Sequence, residues 1–263
     1  MNPPIKEAVP VSPEVIGRLK NISSGTLTTQ LFKRGLMQCF LVGLKPLNKT
    51  AARFAGEAFT MRFIPTREDI DTYTTLTPYP NQDNLQWEGV EQIGKGQVLM
   101  IDSRNDTRAA SAGNMLLTRM MVKGVAGVVT DGALRDGMEI SDMAIPAYAR
   151  EVTASTRLSY HHVADLQVPI SCANVAVYPG DIIVGDGDGI TVIPRHLAAE
   201  IADGGEKQDR LEAYLALRLA AGEGLYGVYP PNDRTRADYA AWIVAGSRAE
   251  DAPRIRAEAA NAA

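Results

Sequence analysis

The chain has 263 residues, 45% hydrophobic and 22% charged, with a formal net charge of −4. That is an ordinary globular balance; it argues against a nucleic-acid surface, and no run of about 18 apolar residues is present to cross a membrane. Three histidines and two cysteines stand against 31 acidic residues, which excludes a disulfide framework or zinc ribbon and turns any metal site toward oxygen ligands and a hard cation.

Residues 1–12 carry three prolines and no apolar signal core, so a surface-wrapping segment and a cytoplasmic location are expected. Residues 24–35 predict a capped helix with Leu27, Leu31 and Phe32 as its apolar stripe and Gly35 as its stop. Residues 56–64 alternate as a half-buried strand does. The polar, proline-containing stretch 65–88 predicts a long loop, and Tyr79, Asn81, Gln82 and Asp83 within it are candidate substrate contacts, reaching a neighbouring subunit's site. A short strand over 96–102, a helix over 112–123 opening at Gly113, and a buried strand over 124–131 make a right-handed βαβ unit with a parallel pair. A further strand is expected near 145–149.

Short β segments over 170–172, 175–177 and 182–184 follow, and 190–193 pairs back across the Asp186-Gly187-Asp188-Gly189 turn as a hairpin. The sheet is therefore mixed rather than doubly wound. Beyond Pro194 the composition becomes helical over 195–221, with a second amphipathic helix over 235–248. The stripe Leu211, Leu215 and Leu219 predicts packing, and the Ala-rich end from 252 onward is expected to fray. The domain boundaries this gives are an N-terminal segment 1–19, a central domain 20–200 and a helical extension 201–263.

The chemistry concentrates between residues 113 and 139. A glycine-led helix start presents free N–H groups and a positive dipole end to an anion. Arg135-Asp136 lies just past the C-terminal end of a parallel strand, where α/β sheets place ligands. Arginine can fork a carboxylate, Asp136 offers one hard oxygen ligand of the kind Mg²⁺ accepts alongside water, and Glu139 falls on the same side if a helical turn follows. On spacing alone, the same pair reads equally well as a solvated surface pair. Asp131-Gly132 is a strand-end turn near enough to Arg135 to support it. His161-His162 point to different sides and are expected at the surface.

The segments Gly113-Asn114-Met115-Leu116-Leu117 and Gly124-Val125-Ala126-Gly127-Val128-Val129-Thr130-Asp131-Gly132-Ala133-Leu134-Arg135-Asp136, with Glu139, resemble the RraA-like family, which includes the 4-hydroxy-4-methyl-2-oxoglutarate/4-carboxy-4-hydroxy-2-oxoadipate aldolases. The run from Val175 to Pro194 matches as well, so the resemblance covers roughly residues 20–200. It implies an α/β fold, a swivelling β/β/α domain, here with a C-terminal helical extension, assembled as a homotrimer or homohexamer with the site at a subunit boundary. It implies a metal-dependent aldolase using Mg²⁺ or Mn²⁺ on a small oxo-acid substrate, with oxaloacetate decarboxylation beside it. Asp136 matches the metal-binding Asp and Arg135 the Arg that holds the pyruvate moiety. Gly113, Asn114, Met115 and Leu116 match the stretch that receives the substrate carboxylate. Some members instead bind and inhibit a ribonuclease. Two departures stand out: Thr28 and Thr29 occupy the positions of a Ser-Asp pair, and shorter members lack the arm after residue 200.

Overall fold

The computed structural model describes residues 10–49, 53–72 and 84–255. Two helices come first. α1 (Pro13–Asn21) is capped by Ser12 and starts on a proline, whose missing N–H costs nothing there. α2 (Ser24–Phe32) is capped by the Ser23 hydroxyl, which accepts from Thr26 N–H at 3.1 Å, and the chain turns away through Gly35 at φ 82°. The cap is thus one residue earlier than the expected helix start, and α1 follows the expected surface-wrapping segment 1–12, in a stretch for which no element was expected.

Next come the edge strand β1 (Lys45–Pro46) and the long strand β2 (Phe54–Pro65). β2 is central. It pairs in parallel with β3 (Val98–Asp102), from Ala58↔Val98 to Arg62↔Asp102. Its other edge is shared, the first half taken by β12 (Ile182–Asp186) and the second by β9 (His161–Leu166), with a register shift between Arg62 and Phe63. Alternation therefore sends Phe59, Met61 and Phe63 to one packed face and Phe54 and Ala58 to the other. From Phe54 to Met61 the strand is covered on both faces, by helices on one side and a hairpin on the other, whereas from Arg62 to Pro65 it alternates exposed and buried as a half-buried strand does.

The polar stretch 65–88 is not loop throughout. Asn84 caps α3 (Leu85–Gln92), accepting from Gln86 and Trp87 N–H. Tyr79, Asn81, Gln82 and Asp83 lie outside the described residues. The full eight-stranded sheet runs β1-β7-β5-β3-β2-β12-β13, with β9 on β2; β5 is Gly127–Thr130, β7 Ala147–Ala149 and β13 Gly189–Ile193. β12 and β13 form the expected antiparallel hairpin. β10 (Ile170–Cys172) and β11 (Val175–Val177) pair as a second hairpin, its turn residues Ala173 and Asn174 at φ 48° and 65°.

A small second sheet positions the site. Each of the parallel strands β3, β5 and β7 runs on into a short strand: β4 (Ala110–Ala112), β6 (Ala133–Leu134) and β8 (Glu151–Val152) respectively. These three pair in parallel in the order β4-β6-β8. The crossover helix α4 (Asn114–Lys123) follows β4 and stops on Gly124 at φ 76°, and α5 (Gly137–Ser141) follows β6. A buried triangle of hydroxyls, Ser103, Ser111 and Thr130, joins the two sheets at Oγ–Oγ separations of 2.5–3.1 Å.

By its internal contacts the chain divides into two compact units, residues 1–202 and 203–263, the division falling within helix α6 (Ala198–Ala220). The second unit, which includes α7 (Asp233–Val244), has its own small core of Tyr214, Leu215, Val228, Trp242 and Ala252, with Leu211 and Leu219 packed against it. Ala252 is fully buried there, so the chain does not fray from that residue. Inside the unit Arg218 pairs with Glu223 and with Asp238, the latter at 3.1 Å.

Candidate functional site

The register of the small sheet brings the chemistry together. Past Ala112 the chain gives Gly113 and the start of α4; past Leu134 it gives Arg135 and Asp136. Arg135 N–H donates to the Ala112 carbonyl at 3.0 Å, continuing the ladder by one residue. Asp136 adopts a left-handed conformation, φ 62° and ψ 42°, which aspartate tolerates better than most side chains. That turn lets its carboxylate reach back to the helix: Oδ2 accepts from Asn114 N–H at 3.0 Å, and Oδ1 lies 3.4 Å from Arg135 Nε. Gly113 has no side-chain cap of its own; the carboxylate of Asp136 does that work from another strand. A Cβ on Gly113 would lie 2.6 Å from Asp136 Oδ2 and 2.8 Å from Arg135 Cγ, so only glycine permits this approach.

A cavity of about 260 Å³ opens at this point. Gly113, Asn114, Met115, Leu116, Arg135 and Asp136 all line it. It is walled further by Gln86 and Trp87 of α3 and by Thr156 and Arg157. The sequence reading gave no role to these four. The signal available for α3 was Asn84 as a cap, masked by the polar run around it; no local pattern marks Arg157. Gln86 is buried and its amide donates to the Ser111 carbonyl, fixing α3 against β4.

Other expected positions fall elsewhere. Asp131 does not line the cavity. It is fully buried and its carboxylate accepts from the N–H groups of Ser103, Asn105 and Ala173 at 2.6–3.1 Å, clasping three loops together. Burial pushes its pKa up, while the backbone bonds hold it down. Glu139, inside the short helix α5, is exposed and also outside the lining. His161 is not a surface residue: it is fully buried against Phe63, with ring centroids 4.7 Å apart, and burial lowers its pKa to about 4. His162 is mostly covered and its Nε2 lies 3.2 Å from the Asp71 carboxylate. Alternation along β9 does separate the two rings, but the face that carries His161 packs on Phe63 and the face that carries His162 is partly covered.

Asp186 is more than a hairpin residue. It accepts from Ser24 N–H at 2.7 Å, Ser24 Oγ at 2.8 Å and Asp188 N–H at 3.0 Å, fastening α2 to the hairpin. Thr28 and Thr29 return their hydroxyls to the Gly25 carbonyl and line a separate surface groove.

Asp136 is the single carboxylate among the described cavity-lining residues, and no group of three or more His, Cys, Asp or Glu side chains converges among the described residues. That donor set fits a hard divalent cation that keeps most of its water and does not fit a protein-enclosed zinc. The charge around it is positive, from Arg135, Arg157 and the N-terminus of α4.

A mixed α/β fold with a glycine-opened helix beside an Arg-Asp turn agrees with the resemblance to RraA-like proteins. The chain matches the model of that family, described as Aldolase/RraA, over residues 25–192, and it belongs to the family. A Halalkalibacterium halodurans protein carrying a provisional 4-hydroxy-4-methyl-2-oxoglutarate aldolase name is 38% identical over 114 residues, 43% of this chain and only 54% of that protein. The 4-hydroxy-4-methyl-2-oxoglutarate aldolase of Thermus thermophilus is 31% identical over 144 residues, 54% of this chain and 77% of that enzyme. Among solved structures, Streptomyces coelicolor RraAS2, described as an unusual member of the RNase ES inhibitor RraA protein family, superposes with a TM-score of 0.70 at 26% identity, covering 80% of this chain and 99% of that one.

Proposed function

We propose that this chain is a divalent-metal-dependent lyase that cleaves a C–C bond of a small 2-oxo acid and releases pyruvate, by aldol cleavage of a 4-hydroxy-2-oxo acid, by decarboxylation of oxaloacetate, or by both. The observation that carries the reading is the meeting of Arg135, Asp136 and the N-terminus of α4 in one cavity. Both reactions leave negative charge on the 2-oxo oxygen as the bond to C3 breaks, and a site that accelerates them must hold positive charge there. Asp136 is the residue that would hold Mg²⁺ or Mn²⁺, and such a cation, when bound, supplies that charge directly. Arg135 forks the substrate's 1-carboxylate or its developing oxyanion. The backbone at Gly113, Asn114, Met115 and Leu116 receives the same carboxylate, with the dipole of α4 behind it. Trp87 and Met115, both substantially exposed, form an apolar wall that shields the reacting carbons from water.

The assembly belonging to this proposal is a homotrimer or homohexamer with the cavity at a subunit boundary, in the cytoplasm. Among the described residues no helix is long and apolar enough to cross a membrane. A second reading, inhibition of a ribonuclease by protein contact, is favoured by the likeness to RraAS2. Asp136→Asn separates the two. The amide keeps an oxygen for Asn114 N–H but removes the charge, so pyruvate release should fall by at least about a hundredfold while the melting temperature stays nearly unchanged. Full turnover in that variant would eliminate Asp136 as the metal ligand. Absence of turnover in the parent protein, together with inhibition of a purified ribonuclease, would establish the second reading.

A further inference from the structure

The cavity contains a second guanidinium that the proposed chemistry at Arg135 and Asp136 leaves without a task. Arg157 opens the single 3₁₀ turn between β8 and β9, and its side chain lines the cavity together with Arg135. The one hydrogen bond described for its side chain runs from Nη2 to Asn84 Oδ1 at 3.4 Å. That oxygen is already shared with Gln86 N–H at 3.1 Å and Trp87 N–H at 3.3 Å, so it is a weak partner for a cation. No carboxylate among the described residues lies within ion-pair distance of Arg157. By contrast Arg62, Arg108, Arg119, Arg195 and Arg218 each have one. Burial lowers the pKa of Arg157, the sign of a cation stripped of water and not compensated. A covered, uncompensated guanidinium is costly to a fold and gains most from an incoming anion.

We propose that Arg157 is the specificity-determining residue of this cavity, binding a second carboxylate at the far end of the 2-oxo acid and so selecting acidic-tailed substrates over neutral-tailed ones. The proposal rests on the reading that the cavity takes a 2-oxo acid. Two features favour this division of labour. Arg135 and Asp136 follow β6, whereas Arg157 follows β8 and lies beside the N-cap of α3, so the two cations enter the cavity from different elements. The contact with Asn84 is long and shared, so it leaves the guanidinium's N–H groups for a forked contact, which an arginine makes and a lysine does not.

The test is calorimetric binding of two non-cleavable ligands in Mg²⁺-containing buffer: 2-oxoglutarate, and 5-methyl-2-oxohexanoate, in which an isopropyl group replaces the distal carboxylate. A charge-assisted contact predicts that the parent protein binds 2-oxoglutarate about tenfold to a hundredfold more tightly. Arg157→Gln should bring the two affinities within about threefold of each other. Arg157→Lys should retain an intermediate preference, because the charge stays and the fork is lost. Arg135→Gln should weaken both ligands by the same factor, since both share the 2-oxo acid end. No preference in the parent protein, or an undiminished preference in Arg157→Gln, overturns the proposal. Pyruvate release measured on the same samples keeps the two claims apart. A preference that depends on Arg157 without any turnover would remove the lyase reading and leave the Arg157 assignment standing. Turnover with a preference indifferent to Arg157 would do the reverse.

Discussion

Gly113→Ala isolates the geometry of the site from the stability of the fold. The glycine sits at φ −141° and ψ −178°, extended backbone that alanine adopts freely, so the change adds no backbone strain. Its effect is the new methyl group alone. That methyl would lie 2.6 Å from Asp136 Oδ2, 2.8 Å from Arg135 Cγ and 3.2 Å from Arg135 Cδ. Ordinary contact begins near 3.4 Å, so the carboxylate must retreat by roughly 0.8 Å. Asp136 Oδ2 ends a partly exposed side chain and can move, whereas Arg135 Cγ lies near the backbone and yields only if the arginine changes rotamer. The stability cost is therefore the weakened Asn114 N–H bond and some local crowding, about 1–2 kcal/mol. Catalysis is less forgiving, because a displacement of about 1 Å in a positioning group can cost on the order of a hundredfold. The expected result is a melting temperature lowered by only a few degrees and pyruvate release lowered by one to two orders of magnitude, at roughly 1.4 kcal/mol of barrier per tenfold. Measuring both on one preparation decides the matter. Turnover that falls only in proportion to the unfolded fraction would refute the claim that the Arg135–Asp136–Asn114 arrangement is the working geometry.

Asp186→Ala removes one buried acceptor from three donors, two of them on Ser24. It should destabilise by about 2–3 kcal/mol and lower the melting temperature by roughly 5–10 °C, with turnover per folded molecule preserved at low temperature; a shift under about 1 °C would show that α2 is held by packing alone. His161 supplies a pH signature. Its folded-state pKa, about 4, lies below the ordinary 6.5. Above pH 6.5 it is neutral folded and unfolded and contributes nothing to the pH dependence. As pH falls from 6.5 toward 4 the unfolded chain binds a proton that the fold refuses, so stability drops, by up to about 3 kcal/mol. Urea midpoints at pH 7, 5.5 and 4.5 should therefore converge less steeply toward zero in His161→Leu than in the parent. Asp106, held at about 2 by Arg108, titrates below that window and does not mimic the effect. Parallel slopes for the two proteins would contradict the neutral buried assignment.

Much of the architecture was legible because it rests on periodicity and turn chemistry. The β3–α4–β5 crossover shows in its apolar run and its two bounding glycines, and the β12–β13 hairpin shows in Gly187-Asp188 between β-branched strands. Gly113 as a helix start and Arg135-Asp136 as a strand-end pair were legible from the residues, but it was the resemblance to the RraA-like family, and not their spacing, that marked Gly113 to Leu116 with Arg135 and Asp136 as a site. What was not legible depends on pairing between distant segments. β2 alternates like a strand with one wet face, and past Met61 it has one, but its first half is covered on both faces by helices and a hairpin that are distant in sequence. The same cover takes His161 out of solvent. Asp131 stands close to Arg135 in sequence, yet the strand end turns its carboxylate toward the Ser103, Asn105 and Ala173 amides. Arg157 and Gln86 reach the cavity from separate elements and carry no local motif. The small sheet β4-β6-β8 is built from strands of two or three residues, too short for any periodicity to register.

The most direct measurement of the central claim is pyruvate release from oxaloacetate and from 4-hydroxy-4-methyl-2-oxoglutarate, followed with Mg²⁺ present, after EDTA, and after Mg²⁺ is restored, in the parent protein and in Arg135→Ala. A metal-dependent lyase should turn over at least one substrate, lose that turnover on chelation, recover it when the cation is added back, and show a fall of two or more orders of magnitude in the variant, the scale of a lost transition-state charge contact. Turnover that survives EDTA, or that Arg135→Ala leaves intact, would contradict that assignment.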